Sequence, residues 1–197
     1  MIALPRRLNR FLRAQEGNVV VETALITPFI LLILFGAIDI VRYLQVQDSV
    51  VRAVNTTADA IARQNDITST QIAAFLNHAA ATVDPDSTGG SAEITVASVH
   101  KDGSNAAKIA WRRDQTGGTQ AYQGECQRVG AEGEAPVLPD GFTLEDDDTV
   151  IVAEACYTFV PAFLVSRAVF NLDFIPLDIY GRAILPARFG ALTILEP

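Results

Sequence analysis

The chain has 197 residues, about half of them apolar, and a formal charge of −8, enough for one soluble domain of ordinary size once a membrane segment is set aside. The positive charge crowds at the N-terminus: removing residues 1–17 takes away four arginines and one glutamate and leaves −11. An acidic body of this kind argues against nucleic acid as a partner.

Residues 19–38 carry one charge, Glu22. At a rise of 1.5 Å per residue the run spans about 30 Å, the thickness of a hydrocarbon core, so it is expected to form one transmembrane helix. Arg6, Arg7, Arg10 and Arg13 precede it with a single acid, Glu16, between them and the run; the positive-inside bias then keeps the N-terminus cytoplasmic and exports everything after about residue 40. A cleaved secretory signal fits less well, because its apolar region is shorter and ends at a small-x-small site, which "LFGAIDIVRY" does not offer. A carboxylate inside such a run costs roughly 2.5–3.5 kcal/mol on insertion scales, which makes Glu22 a functional residue whose partner has to be found.

The helical pattern continues past the lipid. Leu44, Val51 and Ala58 recur at seven residues and Gln47, Val54 and Ile61 interleave with them, the spacing of a contact seam. Arg42, Gln45, Asp48, Arg52, Asn55 and Asp59 make the wet face. One helix is therefore expected over residues 19–63, near 70 Å long, with Pro28 as an internal irritant that removes a backbone donor and kinks it. The seam of Leu44, Val51, Val54, Ala58 and Ile61 either packs against the protein's own domain or also meets other subunits.

After "QNDITSTQ", Thr68 or Ser69 is positioned to cap a second helix whose face is Ile72, Phe75, Leu76 and Ala79, and "DPDSTGG" ends it. Beyond Gly90 the period changes: "AEITVASVH" and "AKIAWRR" flank "KDGSN" as a β-hairpin, "TVIVAEACYTFV" reads as the strongest strand and "LDIYGRAIL" as a closing one. The expected architecture is α+β: a long N-terminal helix, a second short helix and a small antiparallel sheet. In domain terms, residues 1–17 are a basic cytoplasmic leader, 18–40 the transmembrane part of the helix, 41–65 its exported amphipathic continuation and 66–197 the globular α+β domain.

Cys126 and Cys156 are the only cysteines and both fall on the exported side. In an oxidising compartment they are expected to form one disulfide, closing a loop of about 30 residues worth roughly 3–4 kcal/mol on chain-entropy grounds. Two unpaired or metal-bound thiols are the alternative, but there is no C-x-x-C, and His78 and His100 sit apart on a helix and a strand end. Glu145, Asp146, Asp147 and Asp148 form an acidic run that lacks the alternating ligands and central glycine of a calcium loop, so a solvated turn is expected over a calcium site. Phe163, Leu164, Phe170, Phe174 and Ile175 either cap the sheet or form an exposed patch that touches membrane or a partner. Neither Ser104 nor Ser166 stands in a G-x-S-x-G elbow and no acid and base can be paired from spacing. No enzyme activity, cofactor or metal is expected.

With these residues laid out, "G-N-V-V-V-E" resembles a type IV prepilin processing site, in which a basic leader ends in glycine, a membrane aspartic peptidase cuts after it, and glutamate is the fifth residue of the mature chain. The roles fall on Gly17, the new N-terminus Asn18, and Glu22. The resemblance implies a partner for the acid: the α-ammonium freed on Asn18 of a neighbouring subunit. "EGNVVVETALITPFILLILFGAIDIVRYLQ", the second helix, and the late "VIVAEACYTFVP" with its following strand together resemble TadE/TadG-like pseudopilins of the tight-adherence (Tad) pilus, most strongly over residues 13–63 and 150–186. Processed Tad pilins commonly carry an aromatic after the glutamate, where Thr23 stands here. The likeness implies a minor pilin that primes assembly or sits at the fibre tip, supports adhesion, and is handled by a prepilin peptidase and an inner-membrane assembly platform. Its partners would be other minor pilins and the major pilin. It would begin as a single-pass inner-membrane protein with a periplasmic domain and end in an extracellular pilus. A competing expectation is an uncleaved, permanently anchored periplasmic scaffold of a secretion or pilus machine.

Overall fold

A computed structural model describes residues 16–83, 91–103, 105–118, 129–161, 178–190 and 193–195. Along these, α1 (Glu16–Ala62) leads into β1 (Asp66–Thr68), α2 (Ser69–Val83), β2 (Ser91–His100), β3 (Lys108–Gly118), β4 (Thr149–Thr158), β5 (Asp178–Pro186) and β6 (Thr193–Leu195). The fold is α+β. Two compact units divide the chain: the first carries α1 as far as Val41, and the second holds the described residues from Arg42 on.

α1 is an unbroken helix of 47 residues that runs through Pro28. Several of its polar residues are satisfied locally. In the first unit the Thr23 hydroxyl donates to the Val19 carbonyl at 2.8 Å and the Thr27 hydroxyl to the Thr23 carbonyl at 2.6 Å. Such bonds to the carbonyl four residues back leave no hydroxyl hydrogen seeking water, which is what a helix in lipid requires. In the second unit Arg52 pairs with Asp48, and Arg63 Nε donates to Asp59 at 2.9 Å, both on the exposed face where such pairs contribute only about 0.3–0.5 kcal/mol each.

α2 starts on a reciprocal cap. The Gln71 amide donates to Thr68 Oγ1 at 3.2 Å, and the Thr68 amide donates to Gln71 Oε1 at 2.9 Å, so two of the orphan donors at the helix start are satisfied by one pair of side chains. The choice between Thr68 and Ser69 is thus decided for Thr68. Ile72, Leu76, Ala79 and Val83 form its buried face.

The main sheet has the order β3-β2-β4-β5 and is antiparallel throughout. The hairpin read from "KDGSN" is the β2–β3 pair, with one irregularity of register at Ser98/Val99. β1 and β6 form a separate parallel pair. One face of the sheet, with Ala92, Ile94, Val96, Ile151, Ala153, Ala155, Tyr157, Ile179 and Ala183, packs under α2 and the Arg42-to-Ala62 part of α1. The opposite face is also covered: Ala97, Val99, Ile109, Val150 and Val152 cluster with Val129, Leu138 and Leu144.

That second cover is a strap. Arg112 Nη1 donates to the Gly130 carbonyl at 2.8 Å, the Ile109 amide to the Glu134 carbonyl at 3.0 Å, and the Gly133 amide to the Ile109 carbonyl at 2.9 Å. Burial on both faces explains why β2 and β4 show almost no exposed position along their length, a pattern that a one-sided antiparallel sheet would not give.

Candidate assembly helix and its domain

Three contacts set how the later part of α1 lies on the sheet. At its start the Tyr43 ring meets Phe159 edge to face at 5.5 Å, and the Arg42 guanidinium carbon stands 5.7 Å from the centre of the same ring. Near its middle Val50 lies against Gly181, where an added Cβ would come within 2.9 Å of Val50 Cγ1. At its end the Arg188 amide donates to the Ala62 carbonyl at 3.0 Å. β4 matches it, with Phe159 one residue past the strand at one end and Thr149 at the other accepting from the Ala187 amide at 2.9 Å.

The contact seam expected over 44–61 divides. Val54, Ala58 and Ile61 are fully buried in the core, together with Val50 and Ala53, whereas Leu44 and Val51 are 56% and 45% exposed. A seven-residue step does not match a straight helix, which drifts about 20° per heptad. Leu44 and Val51 thereby fall on the flank of the stripe that Tyr43, Val46, Val50, Ala53 and Ala58 define.

Gly17, Asn18 and Glu22 all stand on α1 in the first unit. Glu22 lies in an exposed stretch whose large apolar residues include Val19, Val21, Leu25, Ile26, Phe29 and Ile33. The helix contains a run long and apolar enough to cross a membrane, and none of that run is buried. Helical geometry puts Glu22 on one face with Leu25, Ile26, Phe29 and Ile33, while Thr23 and Thr27 turn elsewhere. The acid therefore interrupts an apolar stripe, and the two hydroxyls do not line up with it.

Cys156 is buried on β4, and no described cysteine is free; Cys126 lies outside the described residues, as do Phe163, Leu164, Phe170, Phe174, Ile175, Ser104 and Ser166. His78 is exposed on α2, and His100 Nδ1 shares a 2.9 Å hydrogen bond with Thr149 Oγ1. The acidic run is organised around a lysine. Lys101 Nζ lies 2.7 Å from Asp146 Oδ1 and donates to the Leu144 carbonyl at 3.2 Å; the Gly103 amide donates to Asp147 Oδ1 at 3.1 Å. Asp147 takes the left-handed backbone, φ +66°, a conformation aspartate tolerates better than most residues. Among the described residues no three His, Cys, Asp or Glu side chains converge as metal ligands do.

One charged group escaped the reading of the strand. Glu154 has no solvent exposure. Its Oε1 accepts from Tyr180 Oη and Arg182 Nε, each at 2.5 Å, and its Oε2 accepts from the Val129 amide at 3.0 Å. Arg182 faces it across the ladder as its register partner. A buried carboxylate is tolerable only with this kind of pairing and hydrogen bonding, and here it ties the strap to two strands at once.

No curated protein and no solved structure matches the chain. Residues 17–59, a stretch that opens on Gly17, includes Glu22 and reaches the buried turns of α1, match the family model described as TadE-like protein, so the N-terminal helix is similar to that of TadE-like proteins.

Proposed function

We propose that this chain is a minor pilin of a Tad-type pilus: a prepilin peptidase cuts it after Gly17, and α1 then carries it from the inner membrane into the fibre. The observation that carries the reading is Glu22, the single charge of residues 19–38, standing in an exposed apolar helix that carries the TadE-like match from residue 17 onward. Cleavage puts an ammonium on Asn18. The carboxylate of Glu22 receives that group from a neighbouring subunit, so that two charges costly in lipid become one pair. Burial against other helices then replaces burial in lipid, and close van der Waals packing holds the bundle.

The arginines of the leader keep the N-terminus cytoplasmic, and the domain from residue 66 onward is periplasmic before assembly. In that compartment Cys126 and Cys156 form one disulfide, which fastens the segment after β3 to the face of β4 that also holds Glu154. A domain of this size does not repeat along a thin fibre whose bulk is a smaller major pilin, so the subunit serves in initiation or at the tip, alongside other minor pilins and in contact with the assembly platform, and supports adhesion. Its work is assembly, not catalysis.

The test is Glu22→Ala in the full-length chain. Alanine removes an insertion cost of about 2.5–3.5 kcal/mol, so the variant is expected to stay in the membrane fraction at the parental level while disappearing from sheared fibres, with secretion through the same machinery retained. Unchanged recovery of the variant from fibres would contradict the reading.

A further inference from the structure

The β2–β3 turn holds a cavity of about 370 Å³, lined by His100, Asp102, Asn105, Ala106, Lys108 and Ala110. All of these but His100 are exposed, so the cavity opens to solvent. His100 and Lys108 are the last register pair of the hairpin. The irregularity at Ser98/Val99 leaves Ala110 with no partner on β2, because Ser98 pairs with Trp111 and Val99 with Ile109. Such a bulge re-aims the side chains beside it, and the residue it sets apart here brings only a methyl group to the cavity wall.

The acidic run braces this turn. On either side of Asp102, the Lys101 amide donates to the Asp148 carbonyl at 3.0 Å and the Gly103 amide to Asp147 Oδ1 at 3.1 Å. The Lys101 carbonyl accepts from the Asp147 amide at 2.9 Å, and the Asp102 carbonyl from the Asn105 amide at 3.1 Å. His100 is anchored through Nδ1 to Thr149 Oγ1 at 2.9 Å. The backbone of the rim is thus fixed while its charges stay unused: among the described residues neither Asp102 nor Lys108 forms an ion pair.

We propose that this cavity binds the terminal hexopyranose of a neutral glycan. The assignment deepens the adhesive part of the minor-pilin reading and rests on it for its role, though not for the binding itself. An unpaired carboxylate and an unpaired ammonium in one cavity disfavour a ligand of either single charge, and an apolar ligand would strand both. The acidic body adds to the cost for an anion. A sugar hydroxyl both donates and accepts. Adjacent hydroxyls can donate to the two oxygens of Asp102, the Asn105 carboxamide can accept one and donate to another, and the Lys108 ammonium can donate to a ring or hydroxyl oxygen. Bonds of this kind to charged groups are the stronger ones. A zwitterion also matches both signs, but ion pairs at exposed positions contribute little. The volume lies near the lower end of small-molecule sites, about 300–1,000 Å³, which suits one ring, and the open side lets the rest of a glycan leave.

The experiment is saturation-transfer difference NMR on the full-length chain in a polyoxyethylene detergent, which carries no sugar headgroup. The probes are the methyl α-pyranosides of glucose, mannose, galactose and N-acetylglucosamine, with glycine and methyl phosphate as charged alternatives. At least one glycoside is expected to receive transfer. Asp102→Ala, Lys108→Met and Ala110→Phe are each expected to reduce it several-fold at the parental urea midpoint, since all three positions are exposed. No transfer to any glycoside, or transfer that the three variants leave unchanged, overturns the proposal. Transfer to glycine or methyl phosphate that exceeds that to every glycoside and is lost in the variants overturns the assignment to sugar. Either failure leaves cleavage after Gly17 standing, because Glu22→Ala in fibres tests that reading and the cavity takes no part in it.

Discussion

Glu154 is where a single side chain does most for the domain. Three donors from two separate parts of the chain converge on it: the Val129 amide of the strap, and Tyr180 and Arg182 of β5. Replacing it with alanine would leave the Arg182 guanidinium, 15% exposed, as a charge in the interior without its carboxylate. Breaking such a pair from one side costs about 3–5 kcal/mol, so Glu154→Ala in the full-length chain in detergent is expected to lower the urea midpoint sharply. Glu154→Gln keeps an acceptor and should fall between the two. A midpoint unchanged in the alanine variant would show that the strap and β5 hold without the acid. None of this was legible at the level of residue spacing. "TVIVAEACYT" reads as a strand, but its partners lie more than twenty residues away on either side, and sequence periodicity carries no information across that distance.

At the scale of elements, the later part of α1 is held to the sheet by small residues that allow close approach. Gly181 is one, with Val50 pressed against the space where a side chain would begin. Gly181→Ala forces the helix or β5 to give way, at about 1–3 kcal/mol of overpacking, and Val50→Ala in the same chain should restore part of the loss. Absence of rescue would mean that the cost lies elsewhere than in this contact. The divided seam supplies a second comparison. Ile61→Ala removes a fully buried side chain and is expected to cost about 2–5 kcal/mol, whereas Leu44→Ala, on the exposed flank, should stay within about 0.5 kcal/mol of the parent; equal effects would contradict the helix register. The elements themselves were largely readable. The expected helix over 19–63 is Glu16–Ala62, the hairpin is β2–β3, and "LDIYGRAIL" is β5, because each carries a local signal: an apolar run, a glycine turn, or a β-branched alternation. The two faces of β4 were not distinguishable, since both are buried and the strand therefore shows no alternation. β1 and β6 are three-residue strands that pair across most of the chain, too short to leave a pattern.

At the scale of the whole molecule, two demands meet in one helix. Its first part contains a run long and apolar enough to cross a membrane, with the Thr23 and Thr27 hydroxyls bonded internally, and its later part belongs to a folded domain through the buried Val50, Val54, Ala58 and Ile61. The candidate site was legible because its signal is a contradiction visible in sequence: one acid in a run that otherwise excludes charge. What sequence did not reveal is the contact of Arg42 and Tyr43 with Phe159, which depends on a residue more than a hundred positions downstream. The central claim is that Glu22 is kept for an ammonium that only processing creates. Mass spectrometry of the mature N-terminus, on protein recovered from the membrane and from sheared fibres, tests this most directly. The account requires chains that begin at Asn18; chains beginning at Met1 or Ile2 in the assembled fraction would contradict it.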